Sequence, residues 1–237
     1  MAYIRSGFLT DNIEEYTKFL FDGYQIQLPY YWGGKESAST IRANLSTLCG
    51  GSGSGKTEAQ IQAIATDNET LCGVDCSGFV LRTTNEACSS NDGILDYFSE
   101  IAHSISSGFP IDESAEVRYR WGISSEILTS SEYSSIITGV TNIKVGDFIR
   151  FDDGAHIGVV KSITNTIQNG QLKYIITYAH SSGGKGPHEA SITLLADSVI
   201  EMATLDLSAG SWNDWNSSYS ATIKNLFNYV CRPNCLD

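Results

Sequence analysis

The spacing of apolar residues changes along the chain, from a helical period in the N-terminal part to an alternating period beyond residue 143. In the N-terminal part this spacing predicts a helix over residues 10–24. A second helix is predicted over residues 76–84, and a third after Asp92. The residues expected on the buried face of the first helix are Ile13, Tyr16, Phe19, Leu20 and Tyr24.

Beyond residue 143, apolar and polar residues alternate as in half-buried β-strands. Asn169 and Gly170 precede one of these segments and are typical of a tight hairpin turn. Residues 104–141 have no clear period and are predicted to be irregular, and residues 221–230 are predicted to form a helix or a strand. Helices followed by an antiparallel sheet predict an α+β fold, with one domain over residues 1–237. The predicted strands cover residues 146–151, 155–160, 172–180 and 192–195.

The composition excludes several classes of partner. The chain has 27 acidic and 15 basic residues, so its formal net charge of −12 argues against nucleic acid or an anionic membrane as a partner. No apolar run is long enough to cross a bilayer, and the start of the chain lacks the apolar core of a secretory signal.

The six cysteines leave two questions open at this point. Cys72 with Cys88, and Cys231 with Cys235, could each form a disulfide. Zinc is the alternative, but the paired spacings that are typical of zinc sites are absent, so we expect no metal and no cofactor.

Residues 50–57 match the phosphate-binding pattern Gly-x-x-x-x-Gly-Lys-Thr. Such a loop requires a buried apolar strand directly before it, whereas residues 39–48 are polar and mixed. We therefore predict a glycine- and serine-rich loop that does not bind nucleotides at Lys56.

The sequence Asp-Cys-Ser-Gly-Phe over residues 75–79 has the features of a nucleophile site. Asp75 can cap a helix, which places Cys76 in its first turn. The positive end of the helix dipole favours a thiolate there, and Gly78 lets another backbone or a substrate approach closely. A cysteine nucleophile also needs a base.

Two histidines lie where such a base and its orienting partner are expected. His156 opens one predicted strand and His180 ends the next, so antiparallel pairing brings them together. His156 would act as the base, and His180 would hold its imidazole ring in the useful tautomer. His188 is the competing third residue and is predicted to follow a loop, while His103 is interpreted as a surface residue at the end of a helix.

Four segments of the chain, in this order, resemble the NlpC family of bacterial cell-wall cysteine peptidases. The resemblance spans roughly residues 25–195 and implies a papain-like fold, with N-terminal helices packed on a central antiparallel sheet. It also implies that Cys76 is the nucleophile, His156 the base and His180 the orienting residue. The four segments are residues 29–34, residues 75–79, residues 145–160 and residues 178–182.

The resemblance further implies a substrate, namely the γ-D-glutamyl link to a diamino acid in peptidoglycan stem peptides. Tyr30 and Asp75 match positions that line the substrate pocket in the family and hold a free amino group there. Trp32 and Ser77 are further candidate contacts to the substrate. A protein of this kind is expected to be a secreted or cell-surface monomer.

Two features separate the chain from the family pattern. The stretches before Asp75 and before His156 are longer than usual, with insertions near residues 35–71 and 104–141. Two other functions use the same residues: acyl transfer or amide hydrolysis on another substrate, and an inactive module that binds cell wall. The complete set of Cys76, His156 and His180 argues against an inactive module.

Overall fold

The computed structural model describes residues 2–89, 93–105, 123–151, 156–195, 211–213 and 227–236, and it has an α+β fold. Helices occupy the N-terminal part and an antiparallel sheet the C-terminal part, as predicted. The helices are α1 (Ser6–Thr17), α2 (Ala38–Cys49), α3 (Glu58–Asp67), α4 (Glu69–Cys72), α5 (Cys76–Ala87), α6 (Gly93–Ile105) and α7 (Ser125–Thr129). The strands are β1 (Leu20–Phe21), β2 (Tyr24–Gln25), β3 (Ser134–Ile137), β4 (Phe148–Phe151), β5 (His156–Gln168), β6 (Gln171–Ser182), β7 (Gly186–Leu195), β8 (Ser211–Asn213) and β9 (Phe227–Pro233).

The main sheet has the strand order β3-β9-β4-β5-β6-β7-β8, and β1 and β2 form a separate hairpin. All neighbouring strands pair antiparallel. The C-terminal strand β9 lies between β3 and β4, so it joins the sheet in its interior rather than at an edge. Among the described residues, no helix is both long and apolar enough to span a membrane.

Helix α5 is the central helix of the fold. Nine of its twelve residues are buried, and it packs against α1 on one side and against β5 and β6 on the other. Thr83 and Thr84 are buried polar residues of this helix, and their hydroxyls donate to carbonyls one turn earlier in the same helix. Because these hydroxyls find hydrogen-bond partners within the helix, they can be buried there, and the helix continues to Ala87, beyond the predicted end at residue 84.

The predicted helix over residues 10–24 is wrong at both ends. Helix α1 begins at Ser6 and ends at Thr17, because Asp22 (φ 52°) and Gly23 (φ 85°) turn the chain back into a β-hairpin. Phe19 is nevertheless buried, whereas Leu20 and Tyr24 are exposed. The apolar residues after Thr17 thus keep a helical spacing although the chain there is not helical.

The hairpin of β5 and β6 is longer than predicted, but its turn is where Asn169 and Gly170 predict it. Both residues have positive φ, 55° and 77°, as the common two-residue hairpin turn requires. Strand β7 also begins earlier than predicted, at Gly186. The prediction that His188 follows a loop is therefore wrong: it lies within the strand, directly opposite His180.

Part of the segment predicted to be irregular is ordered secondary structure. Residues 106–122 lie outside the described residues, as do the predicted turn at 152–154 and the tail at 221–226. The described remainder of residues 104–141 contains α7, β3 and a short 3-10 helix at Val140–Asn142.

Neither disulfide considered from the sequence is formed: Cys72 is not bonded to Cys88, and Cys231 is not bonded to Cys235. Cys72 and Cys88 flank α5, whose twelve residues extend over roughly 18 Å. A disulfide requires Cα atoms less than about 7 Å apart, so the helix keeps these two residues from pairing.

Candidate active site

Cys76 is the first residue of α5, and it lies where this helix packs on β5. Asp75 is the N-cap, as predicted, and its Oδ1 accepts a hydrogen bond from the Gly78 N–H at 2.5 Å. The thiol is only 6% exposed and is close enough to the strand to receive a backbone hydrogen bond from Ile157. Because Ile157 directly follows His156, the helix start and the beginning of β5 meet at the thiol.

His156 and His180 form a direct hydrogen bond, with 2.7 Å between Nε2 of His156 and Nδ1 of His180. The two rings are arranged edge to face, with their centroids 5.0 Å apart. The antiparallel pairing of β5 and β6 brings the two residues together, as predicted. Since His156 uses Nε2 in this bond, a proton exchange with a thiol would take place at Nδ1.

Aromatic rings surround the buried ring of His180. The ring centroids of Phe151 and Tyr178 lie 6.2 Å and 5.3 Å from it. His188, the competing third residue, has its centroid 4.1 Å from that of His180, and its Nδ1 lies 2.8 Å from the Gly186 carbonyl oxygen. His180 is therefore the histidine in contact with His156, and His188 packs behind it.

Burial raises the pKa of Cys76 to about 11, and the charge of Asp75 acts in the same direction. Backbone hydrogen bonds from Ile157 and Ser77, and the charge of Lys35, oppose this rise. The direction is opposite to the one that the helix start predicts, because the thiol is more deeply buried than the sequence indicates. At neutral pH the group is a thiol, and it requires a base to become a nucleophile.

Lys35 is the residue of this site that sequence reasoning missed. Its ammonium group is buried and lies 3.2 Å from Oδ2 of Asp75 and 2.7 Å from Oγ of Ser77. Sequence gave no signal for it, because lysine is seldom buried and no pattern at this position marks an exception.

Among the described residues, four groups donate to the carboxylate of Asp75. They are the backbone N–H groups of Gly33 and Gly78, the ammonium of Lys35 and the hydroxyl of Ser77. Ser77 is buried as well. The side chains of Asp75 and Ser77, both candidate substrate contacts, therefore bond to groups inside the protein. Their predicted role in substrate binding stays a prediction.

The loop of residues 29–34 is fastened to the segment directly before Cys76. The Asp75 N–H donates to the Gly34 carbonyl at 2.8 Å, and the Val74 N–H donates to the Pro29 carbonyl at 3.1 Å. On the other side, Oγ of Ser181 donates to the Val74 carbonyl at 2.6 Å. The helix start is thereby tied both to the loop and to the strand that carries His180.

Tyr30 and Trp32 lie on this loop with different exposure. Tyr30 is half-buried, and burial, followed by the charges of Cys76 and Asp75, raises its pKa well above the usual range. It is therefore a neutral phenol close to the thiol. Trp32 is 78% exposed and presents its ring to solvent next to the site.

The glycine-rich segment has no phosphate-loop architecture. Helix α2 precedes it in place of the strand that such a loop needs, as predicted. Gly50 ends α2 in a left-handed conformation, and Thr57 begins α3 with a capping box to Gln60. Each end of the segment thus serves a helix terminus.

Two further observations complete the description of the site. Within the described part of the chain, no group of three His, Cys, Asp or Glu side chains could hold a metal ion. Comparison with models of protein families, with curated proteins and with solved structures found no significant match to this chain.

Proposed function

We propose that this protein is a cysteine peptidase of the papain-like NlpC type that hydrolyses an amide bond in peptidoglycan stem peptides. The observation that carries the proposal is the 2.7 Å hydrogen bond between His156 and His180, at the strand whose next residue contacts Cys76. A buried thiol next to a histidine that a second group orients is the arrangement of a nucleophile, a base and an orienting residue.

In the proposed reaction, Nδ1 of His156 takes the proton of the Cys76 thiol while Sγ attacks the carbonyl carbon. The carbonyl oxygen becomes an oxyanion, and the backbone N–H of Cys76 at the helix start helps to stabilise it. His156 then gives the proton to the leaving amine, and the C–N bond breaks. Water, activated by His156, hydrolyses the thioester and restores the thiol.

His180 accepts the N–H of Nε2 of His156 at its own Nδ1 in this scheme. That contact fixes the tautomer in which Nδ1 of His156 is the basic nitrogen. It also holds the ring against rotation, and the packing of Phe151, Tyr178 and His188 around His180 supports this orientation.

We propose that the bond cleaved is the γ-D-glutamyl link to a diamino acid. This proposal follows from the resemblance of the chain to the NlpC family. Tyr30, Trp32, Asp75 and Ser77 are the proposed substrate contacts. An amine of the substrate would have to share the Asp75 carboxylate with Lys35. The net charge of −12 is compatible with a substrate that bears an amine. We further propose that the protein acts as a secreted or cell-surface monomer without a cofactor.

The test is the digestion of a purified stem peptide that contains the γ-D-glutamyl link, followed by mass spectrometry of the products. The proposal expects two fragments whose summed mass exceeds that of the substrate by one water. A product that carries an added amine instead of water would identify acyl transfer. Binding of the peptide with no turnover would identify an inactive module and overturn the proposal.

A further inference from the structure

The negative charge of Asp75 has opposite effects on the start of α5 and on the Cys76 thiolate. Asp75 caps α5 through the Gly78 N–H, and a capping carboxylate at a helix N-terminus is most favourable as an anion. The adjacent Cys76 must itself become an anion in order to attack a carbonyl, and a neighbouring charge of the same sign disfavours that form. An uncompensated Asp75 would thus stabilise the helix and weaken the nucleophile.

Lys35 lies where it can remove this conflict. Its Nζ is 3.2 Å and 3.4 Å from the two carboxylate oxygens of Asp75, and both side chains are nearly excluded from water. The same Nζ lies 2.7 Å from Oγ of Ser77 and 3.3 Å from the carbonyl oxygen of Ile123. The three N–H groups of one ammonium can serve these three neighbours.

We infer that Lys35 is a positioning residue that supplies the counter-charge to Asp75, so that the capping carboxylate holds the start of α5 without opposing thiolate formation at Cys76. This inference rests on the nucleophilic role that we propose for Cys76. It assigns a function to Lys35, which does not lie in any recognised sequence motif.

A purely structural role explains the arrangement less well. A buried ion pair gains little stability over well-packed apolar side chains, because both charges lose their hydration. Here the pair lies next to a group whose ionisation state matters for chemistry. Among the described residues, the thiol also lies near Tyr30, which is neutral, and near Ile157, the neighbour of the proposed base His156. In the part of the chain that the structure describes, the charges of Lys35 and Asp75 act on the thiol in opposite directions.

The experiment measures the alkylation rate of Cys76 by iodoacetamide between pH 7 and pH 10, with peptide mapping to separate it from the other five cysteines. The reaction depends on the thiolate and does not require peptidase activity, so its failure is distinguishable from failure of the proposed function. We expect Lys35→Met to slow alkylation about tenfold or more at pH 8, because an unbalanced carboxylate raises the thiol pKa by about one unit or more. Asp75→Asn retains a capping side chain and should accelerate alkylation.

Lys35→Met alone leaves the buried carboxylate of Asp75 without its cation, which could also destabilise the fold. The double variant Lys35→Met/Asp75→Asn removes both charges and so avoids this effect. We expect its rate to lie between those of the two single variants, because both charges are then absent. Lys18→Met is the matched control, since it removes the same charge from an exposed pair with Glu14, and its rate should equal that of the wild type. A wild-type rate in folded Lys35→Met would overturn the inference. A double variant as slow as Lys35→Met would also overturn it, because an unbalanced carboxylate at Asp75 could then not be the cause of the slower rate.

Discussion

At the scale of single residues, the proposed chemistry depends on the position of one proton between two histidines. Nε2 of His156 has to carry it, because Nδ1 of His180 then accepts it and Nδ1 of His156 becomes the base. The burial of His180 among aromatic rings keeps its imidazole in place for that role. Loss of the second histidine should therefore affect the chemistry more than the binding of substrate.

We expect His180→Ala to reduce kcat by about two to four orders of magnitude, as the loss of the orienting group does in a serine triad. KM should change little, because Tyr30 and Asp75 are untouched. His180→Asn or His180→Gln should recover part of the loss, since an amide can still accept from the ring of His156. Steady-state kinetics on the stem peptide measure all of these values.

His188→Ala is the matched control for this prediction. Its ring supports His180 and does not contact the hydrogen bond to His156, so we expect a smaller loss than in His180→Ala. If His188→Ala abolishes turnover while His180→Ala retains it, the orienting role belongs to His188.

The residues of the proposed mechanism could be predicted from sequence because each lies at a recognisable place. Cys76 follows a capping aspartate, and His156 and His180 lie at adjoining ends of consecutive strands. Lys35 could not be predicted in this way, because its partners Asp75 and Ile123 are 40 and 88 residues away. The raised pKa of the Cys76 thiol could not be predicted from sequence either, since it depends on how deeply the folded protein buries the thiol.

At the scale of elements, local signals decided which predictions were right. The cap at Asp75 and the turn at Asn169 and Gly170 act over a few residues, so the start of α5 and the hairpin of β5 and β6 were predictable. The end of α1 was not, because the turn at Asp22 and Gly23 interrupts a segment whose apolar period continues. The same principle applies to β7, where pairing with β6 extends the strand over His188.

The contact between the loop of residues 29–34 and the start of α5 gives a prediction at this scale. A Cβ atom on Gly34 would collide with the carbonyl group of Gly73 and with the Tyr31 carbonyl oxygen, both of which are backbone. We expect Gly34→Ala to lower the free energy of unfolding by about 1–3 kcal/mol, as overpacking typically does. Urea denaturation measures this change.

Gly7→Ala is the control for Gly34→Ala. A Cβ atom on Gly7 would meet nothing within 4 Å, and the residue lies in helix α1. Alanine should therefore stabilise the protein by about 0.5–1 kcal/mol. An unchanged free energy of unfolding in Gly34→Ala would mean that the loop is not tightly packed against the segment directly before α5.

At the scale of the whole molecule, the C-terminal strand connects the sheet to the loop before β4. Arg232 on β9 donates through Nε and Nη2 to the two carboxylate oxygens of Asp147, at 2.8 Å and 2.9 Å. Its Nη2 also donates to the Asn142 carbonyl oxygen at 3.1 Å. The strand order β3-β9-β4 could not be predicted from sequence, because it joins residues that are about 85 positions apart.

This ion pair gives a prediction for global stability. Asp147 is 1% exposed, and burial raises its pKa although Arg232 lowers it. Arg232→Met leaves a buried carboxylate without its cation, so we expect a loss of about 3–5 kcal/mol at neutral pH. The loss should shrink at acidic pH, because the Asp147 carboxyl is then protonated and Arg232→Met no longer leaves an unpaired buried charge.

Two further variants test the cause of that loss. Arg232→Met/Asp147→Asn carries no buried charge and should lose less than Arg232→Met alone. Glu15→Gln disrupts the half-exposed pair with Arg42 and should cost no more than about 1 kcal/mol. If all three variants lose equal stability in urea denaturation, the charge of Asp147 is not the cause.

The central claim is that Cys76 is the nucleophile of an amide hydrolase, and the turnover of Cys76→Ala tests it most directly. The measurement compares kcat/KM for a γ-D-glutamyl stem peptide between the wild type, Cys76→Ala and Cys235→Ala, with folding checked by circular dichroism. We expect measurable turnover by the wild type and by Cys235→Ala, and none by Cys76→Ala. Wild-type turnover in folded Cys76→Ala would contradict the claim.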